Sequence, residues 1–280
     1  MKKIFNEKNF SYVLGDITNK DFLNYLEKKY KINLVFHAAA YKHLNILEEN
    51  IYNAVINNIF GTLNIIEVFK RQKIVVISTD KAARPKSILG MTKRISEIAS
   101  INYDKNNSKV NVVRFGNVFA SQGSAINLFL KQINNGGPVT ITDKKVERYF
   151  MSSSEAADLV IQGSQLKINN KILILNMGKQ IKLIKVIQKL IDLKKKKDPY
   201  FDIKIKEIGL QKGEKLKEEL TINKSKKSNL HNDIFIANEP EYSLKSIKET
   251  LESLRNSLIK KEEKKLLKIM QHFLRSELRY

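Results

Sequence analysis

Short β-branched runs alternate along the chain with longer stretches of helical period, and that alternation is the pattern of α/β architecture. Phe10–Leu14 reads as a strand, and Gly15-Asp16-Ile17-Thr18 leads from it into a helix with Thr18 or Asn19 as N-cap. Asn33–Ala38 is a second strand, followed by a helix from about Ala54 to Lys70. Ile74–Ser78 is a third, ending in Ser78-Thr79-Asp80-Lys81, and a helix from about Thr92 to Tyr103 comes next. Val110–Phe115 makes a fourth strand and Ile172–Asn176 a later one. Strands that alternate with helices predict parallel pairing through right-handed crossovers.

Ser124–Asn135, Ser154–Gln165 and Leu183–Leu193 are helical in pattern. Near the end, Leu244, Ile247, Leu251, Leu254 and Leu258 recur at spacings of three and four, an apolar stripe that predicts a helix docked on the body. The pattern divides the chain into a sheet-forming region over 1–118, a mixed region with a returning strand over 119–240, and a helical tail over 241–280. No internal repeat or low-complexity tract is present.

The 280 residues suffice for one large domain or two modest ones with a buried core. The absence of cysteine excludes thiol nucleophiles, zinc–thiolate sites and iron–sulfur clusters, and it suits a reducing cytoplasm. Apolar runs such as Ile74–Ile77 and Ile172–Leu175 are far shorter than the roughly 18–20 residues of a membrane helix. The opening Met-Lys-Lys-Ile-Phe-Asn-Glu has no apolar segment of a secretory signal, so the chain is expected in the cytoplasm, at most at the inner face of the membrane.

The net charge of +22 raises the question of nucleic acid. Residues 1–180 carry 26 basic and 14 acidic side chains, 181–230 carry 15 and 7, and 231–280 carry 10 and 8. The excess is diffuse and mostly lysine, which reads as a solvated surface without a specific nucleic-acid partner. Lys194–Lys197 is the one compact basic run and predicts a helix end.

Ligands of parallel α/β sheets bind outside the carboxyl ends of the strands, so the candidate chemistry is sought there. The strongest cluster is Ser78-Thr79-Asp80-Lys81: a hydroxyl pair, an acid and an amine delivered off a buried strand. A capped polar turn would use the same residues. Lys93 is placed on the first turn of the next helix, four residues after Leu89, so that both can face one groove. His37 and His43 flank Ala38-Ala39-Ala40-Tyr41-Lys42, where three small residues allow close backbone approach to a flat or anionic ligand or to a packed helix. His231 and His272 read as surface or packing residues. No His/Asp/Glu spacing matches a metal site, and no Gly-x-Ser-x-Gly elbow occurs.

The runs FHAAAYKHLNILEENIYNAVINNIFGTLN (36–64), ISTDKAARPKSILGMTKR (77–94), VVRFGNVFASQGSAINLFLKQINNGGPVTIT (112–142), ERYFMSSSEAADLV (147–160) and GLQKGEKLKEEL (209–220) carry a resemblance. They resemble the polysaccharide-biosynthesis CapD-like family, extended short-chain dehydrogenase/reductase proteins that include UDP-N-acetylglucosamine 4,6-dehydratases and related nucleotide-sugar epimerases. The resemblance implies a doubly wound, Rossmann-like sheet over 1–118 that holds NAD or NADP and a nucleotide-sugar region over 119–240. It also implies a UDP-sugar substrate and, for a complete protein, a homo-oligomer. Asp16 matches the acid that contacts the adenine, Ala38, Ala39 and Ala40 the strand end against the cofactor, and Asn58 a helix residue supporting the site. Thr79 matches the catalytic hydroxyl, and Lys93 the lysine of the nicotinamide ribose. Asp80 and Lys81 match the pair that makes a dehydratase, with Lys81 as base for the C5 proton and Asp80 as acid for the C6 hydroxyl. Lys42, Asn117, Arg148 and Glu214 match positions around the nucleotide sugar.

Three departures accompany the resemblance. Leu89 stands where short-chain dehydrogenases carry Tyr, as Met does in the large membrane-anchored branch. Gln122 and Gln211 stand where the family commonly has Arg, which removes fixed cations from a diphosphate site. No Gly-x-Gly-x-x-Gly loop exists anywhere in the sequence, and about two βα units of some 30 residues each have no counterpart before residue 10. The expected fold is therefore an incomplete doubly wound sheet, and a separately encoded N-terminal half is an expected partner. An inactive remnant is the competing expectation.

Overall fold

A computed structural model describes residues 10–104, 107–119, 121, 123–223, 226–227 and 231–278. Six strands form the central sheet: Leu34–His37 (β1), Lys73–Thr79 (β2), Lys109–Phe115 (β3), Lys171–Leu175 (β4), Lys226–Lys227 (β5) and Ile234–Ile236 (β6). Their order is β1-β2-β3-β4-β6-β5, with β1 to β4 parallel and β5 and β6 antiparallel additions at the far edge. Val76 lies opposite Val112, and Val112 opposite Ile172, so the registers stack β-branched side chains across three strands. These strands are buried on both faces and therefore read as continuous apolar runs.

Among the described residues, the α-helices of ten or more residues are Lys20–Lys29 (α1), Ile88–Asn102 (α2), Ala125–Asn134 (α3), Ser153–Gln165 (α4), Leu183–Lys195 (α5), Leu244–Ile259 (α6) and Glu263–Leu278 (α7). Ile74, Val76, Val110, Val112, Ile172 and Ile174 pack against Leu23 of α1 and against Ile65, Ile66 and Ile101. Val75, Val113, Leu173 and Leu175 alternate to the other face and meet Ala156, Leu159 and Val160 of α4. The sheet is thus doubly wound. A separate apolar cluster joins Phe129 and Ile133 of α3 to Leu183, Ile187 and Ile191 of α5 beside a small parallel ladder, Val139–Ile141 with Ile205–Glu207.

Several elements differ from their sequence reading. Phe10–Leu14 forms no strand, and Leu14 is 98% exposed. A strand exists through its ladder, and 10–14 has no ladder partner among the described residues. Asn19, not Thr18, caps α1, its Oδ1 accepting from Phe22 N at 3.0 Å. The helix expected over 54–70 is three joined pieces, Ile51–Ala54, a π-helical stretch Val55–Gly61, and Thr62–Val68. α2 begins at Ile88, four residues earlier than read, because Ser87 Oγ accepts from Gly90 N at 3.1 Å and Glu48 Oε1 from Ile88 N at 2.7 Å. Lys93 consequently sits on the second turn. The run Lys194–Lys197 does straddle the end of α5.

The apolar stripe of α6 docks as read, with Ile247, Leu251, Leu254 and Leu258 buried, while Leu244 stays half exposed. A second tail helix, α7, adds Leu266, Met270, Phe273 and Leu274 to the same cluster. The two helices cover α2, every residue of which is buried. Covering α2 required its charges to be paired. Glu97 accepts from Arg114 Nη2 at 2.6 Å and from Arg94 Nη1 at 2.9 Å, and Arg94 also reaches Glu239 and the Tyr242 hydroxyl. Burial pushes the Glu97 carboxyl up, but the Arg114 and Arg94 guanidiniums outweigh it and hold it below the usual carboxylate range.

Candidate functional site

The carboxyl ends of β1, β2 and β3 open onto a cavity of about 380 Å³, the position a parallel sheet offers a ligand. β1 contributes Ala38 and Ala40 and then Tyr41 and Lys42. β2 contributes Ser78, Thr79 and Lys81, α2 contributes Leu89 and Lys93, and the stretch after β3 contributes Gly116 and Asn117. The far wall holds Ser121, Ser124 and Phe150, whose ring stacks on Phe119 at 4.7 Å.

The turn after β2 gathers the reactive groups. Thr79 Oγ1 donates to Asp80 Oδ1 at 3.0 Å, and Lys81 Nζ donates to the same oxygen at 3.0 Å and lies 3.5 Å from Asn117 Oδ1. Thr79 and Lys81 face the cavity, whereas Asp80 is fully buried and reaches it through them. Asp80 Oδ2 accepts no hydrogen bond from the described residues. Gly116 makes room for this carboxylate: a Cβ there would lie 2.9 Å from Asp80 Oδ2 and 2.8 Å from Tyr149 Cβ.

Lys93 Nζ donates to Ile77 O at 2.6 Å, and burial pulls its pKa down to about 8. His37 sits close by, its Nε2 2.9 Å from Thr62 Oγ1; burial first, and the Lys93 charge second, pull its pKa down to about 3. His37 is therefore a neutral internal ligand of Thr62 at physiological pH. Asn58, on the π-helical stretch, is buried beneath the cavity. Its Oδ1 accepts from Tyr41 N at 2.8 Å and its Nδ2 donates to Tyr41 O at 3.0 Å, which pins the loop after β1. A widened helical turn at a site-supporting residue is a common location for such bulges.

Of the residues singled out from sequence, Ala38, Ala40, Lys42, Thr79, Lys81, Lys93 and Asn117 share the cavity wall. Asp80 and Asn58 support it from behind. Ala39 is absent from the wall, because successive residues at a strand end point to opposite sides. Asp16 is exposed and closes its own turn, accepting from Thr18 N at 2.8 Å. Arg148 and Glu214 pair with each other at 2.9 Å outside the wall, and Gln211 is exposed, its N–H donating to Glu214. Gln122 lies outside the described residues. Wall residues to which sequence reasoning gave no role include Tyr41, Gly116, Ser121, Ser124 and Phe150; the run 112–142 that carries the family resemblance contains the two serines.

The cavity wall combines small residues after β1, Ala38 and Ala40, with the buried amine of Lys93. The given sequence contains no Gly-x-Gly-x-x-Gly loop whose backbone amides would cradle a pyrophosphate. No helix is long and apolar enough to cross a membrane among the described residues, and they hold no His/Cys/Asp/Glu cluster for a metal.

A family model described as polysaccharide biosynthesis protein matches residues 1–239. The capsular polysaccharide biosynthesis protein CapD of Staphylococcus aureus is 40% identical over 271 residues, which are 94% of this chain and 44% of CapD. A UDP-glucose 4-epimerase of Rickettsia rickettsii is 34% identical over 168 residues, 58% of this chain and 49% of that protein. This chain thus spans less than half of either relative. Among solved structures, Pen from Bacillus thuringiensis superposes with a TM-score of 0.74 at 35% identity, over 83% of this chain and 74% of Pen. DesIV of Streptomyces venezuelae, a dTDP-glucose 4,6-dehydratase with NAD bound, superposes with a TM-score of 0.65 at 17% identity, over 74% of this chain and 69% of DesIV, a likeness of fold. With a match over residues 1–239 and the Rossmann-type sheet that its solved neighbours share, the chain belongs to the polysaccharide biosynthesis family.

Proposed function

We propose that the chain carries the sugar-side machinery of a nucleotide-sugar 4,6-dehydratase acting on UDP-N-acetylglucosamine. The observation that carries this is the Thr79–Asp80–Lys81 turn at the mouth of the cavity, with the acid and the amine joined at 3.0 Å. A proton passed along that hydrogen bond from Lys81 to Asp80 leaves a neutral amine and a carboxylic acid without changing the net charge, so the base and the acid arise together. Lys81 then takes the C5 proton of the 4-keto sugar. Asp80 supplies a proton to the departing C6 hydroxyl through Thr79, which loses its proton to the leaving group as it gains one from Asp80. Lys42 and Asn117 orient the sugar. NAD or NADP, when bound, would accept the C4 hydride and return it to C6 after the hydroxyl has left, with Lys81 returning the proton to C5. Leu89 takes no part in proton transfer and packs against the sugar side.

The reading includes a partner. Leu34 and Phe36 of β1 are 38% and 43% exposed at an edge of the sheet, and a separately encoded βα segment with a glycine-rich loop would complete both the sheet and the pyrophosphate site. The test is deuterium wash-in at C5, with mass spectrometry of the product, on the chain co-expressed with such a segment. A 4-keto, 6-deoxy product and loss of exchange in Lys81→Ala are expected. The relationship to UDP-glucose 4-epimerases favours one alternative, and a C4 epimer with the C6 oxygen retained would replace the dehydratase with it.

A further inference from the structure

Among the described residues, two carboxylates lie within 4 Å of Lys81 Nζ: Asp80 at 3.0 Å and Glu218 at 3.9 Å. Glu218 comes from a distant loop, outside the cavity wall, and it is only 3% exposed. That loop is fixed on both sides. Gln180 Nε2 donates to Glu218 O at 2.9 Å, Glu218 N donates back to Gln180 Oε1 at 3.3 Å, and Lys215 Nζ stands 3.2 Å from Glu218 Oε2. Lys215 Nζ and Glu218 Oε2 are both buried, yet neither makes a well-aligned hydrogen bond, and Asp80 Oδ2 is buried without one as well. Lys215 and Glu218 are held as an ion pair, and the other Glu218 oxygen is the one turned toward Lys81, so the loop brings a second buried carboxylate to the amine that Asp80 already holds.

We propose that Glu218 is a positioning residue for Lys81, the counter-charge that holds the amine at the cavity while Asp80 is protonated. This rests on the reading of Lys81 as base and Asp80 as acid. When Asp80 has become the carboxylic acid, its attraction for Lys81 is gone. Lys81, having taken the C5 proton, is then an ammonium in a largely enclosed place, and Glu218 is the carboxylate left within reach. Lys215 on the far side of Glu218 tempers that pull, so Lys215–Glu218–Lys81–Asp80 forms a row of alternating charge.

The test uses the full chain and does not need turnover. Lysines are labelled with trace acetic anhydride at fixed pH, and the labelling of Lys81 is read by mass spectrometry relative to the exposed Lys245. Glu218→Gln should raise Lys81 labelling severalfold, because the amine loses one of the two carboxylates within 4 Å that hold it away from the reagent. Lys215→Met should lower it, because Glu218 then pulls on Lys81 alone. Simple loosening of the loop would raise labelling in both variants. Unchanged labelling in Glu218→Gln, or a rise in both, overturns the proposal; should Glu218→Gln fail to fold, the sign in Lys215→Met decides. In the co-expressed protein, Glu218→Gln should lower kcat for C5 exchange about tenfold or more with KM unchanged. Full exchange in Lys81→Ala would remove the base reading and with it the catalytic role, while the labelling pair still reports whether Glu218 holds Lys81.

Discussion

His37 and Lys93 give this protein a stability that depends on pH in a definite direction. His37 keeps its proton off in the folded state down to about pH 3, while an unfolded histidine takes one up near 6.5. Its folded pKa is the lower, so stability is lost as pH falls from 6.5 toward 3 and recovers as pH rises. Between pH 7 and pH 4.5 the loss from this residue is about 2–3 kcal/mol. Urea unfolding at the two values should show it, and His37→Asn should flatten the difference. Lys93, depressed to about 8 against 10.5 unfolded, works in the same sense at a higher range: its burial costs stability below pH 8, and the cost is relieved as pH rises to 10.5. Leu89 is a simpler matter. It is buried and apolar on the cavity wall, so Leu89→Met should cost under about 1.5 kcal/mol in the same unfolding measurement. The reactive residues were legible because Ser78-Thr79-Asp80-Lys81 follows an unmistakable buried strand. The burial of Asp80 was not, since room for its carboxylate depends on Gly116 from elsewhere in the chain. Arg148 and Glu214 carried charges suited to a nucleotide, but a pairing between residues 66 apart leaves no mark in local sequence.

At the scale of the element, α2 is the part on which the site depends most. Its start is set by two acceptors, Ser87 Oγ and Glu48 Oε1, of which only the first is local. Ser87→Ala should cost about 1 kcal/mol, measurable as a lower urea midpoint. Gly90 lies so close to the preceding turn that a Cβ would stand 2.5 Å from Lys81 O. Gly90→Ala should therefore displace the Asp80–Lys81 turn, and it should change Lys81 labelling even where the protein stays folded. The strands β2, β3 and β4 were readable to within a residue or two because each is buried on both faces. α2 was misplaced at its start because Ile88-Leu89-Gly90-Met91 has no periodic contrast: every residue of the helix is buried. The Phe10–Leu14 run shows the converse, since β-branched and aromatic composition makes a strand only where a neighbour supplies a ladder.

For the whole molecule, the lack of a Gly-x-Gly-x-x-Gly loop in the given sequence predicts that the chain alone binds neither NAD nor NADP in the micromolar range, as titration calorimetry would show. The diffuse lysine surface should give weak, salt-sensitive retention of arbitrary DNA and no sequence preference in a competition assay. The quartet Arg94, Glu97, Arg114 and Glu239 ties β3, α2 and the segment after β6 into one unit. Removing one partner of such a group strands the others, so Glu97→Gln should cost about 3–5 kcal/mol. The same quartet sets a schedule for synthesis. Arg94 and Glu239 are 145 residues apart, and a ribosome adding about 5–20 residues per second needs roughly 7–30 s to cover that distance. Until then the helix that carries Lys93 cannot be enclosed without burying guanidinium charge that lacks its full set of partners. A nascent chain arrested before residue 239 should keep that helix open to protease, and the cavity wall should close only once residue 239 has been added.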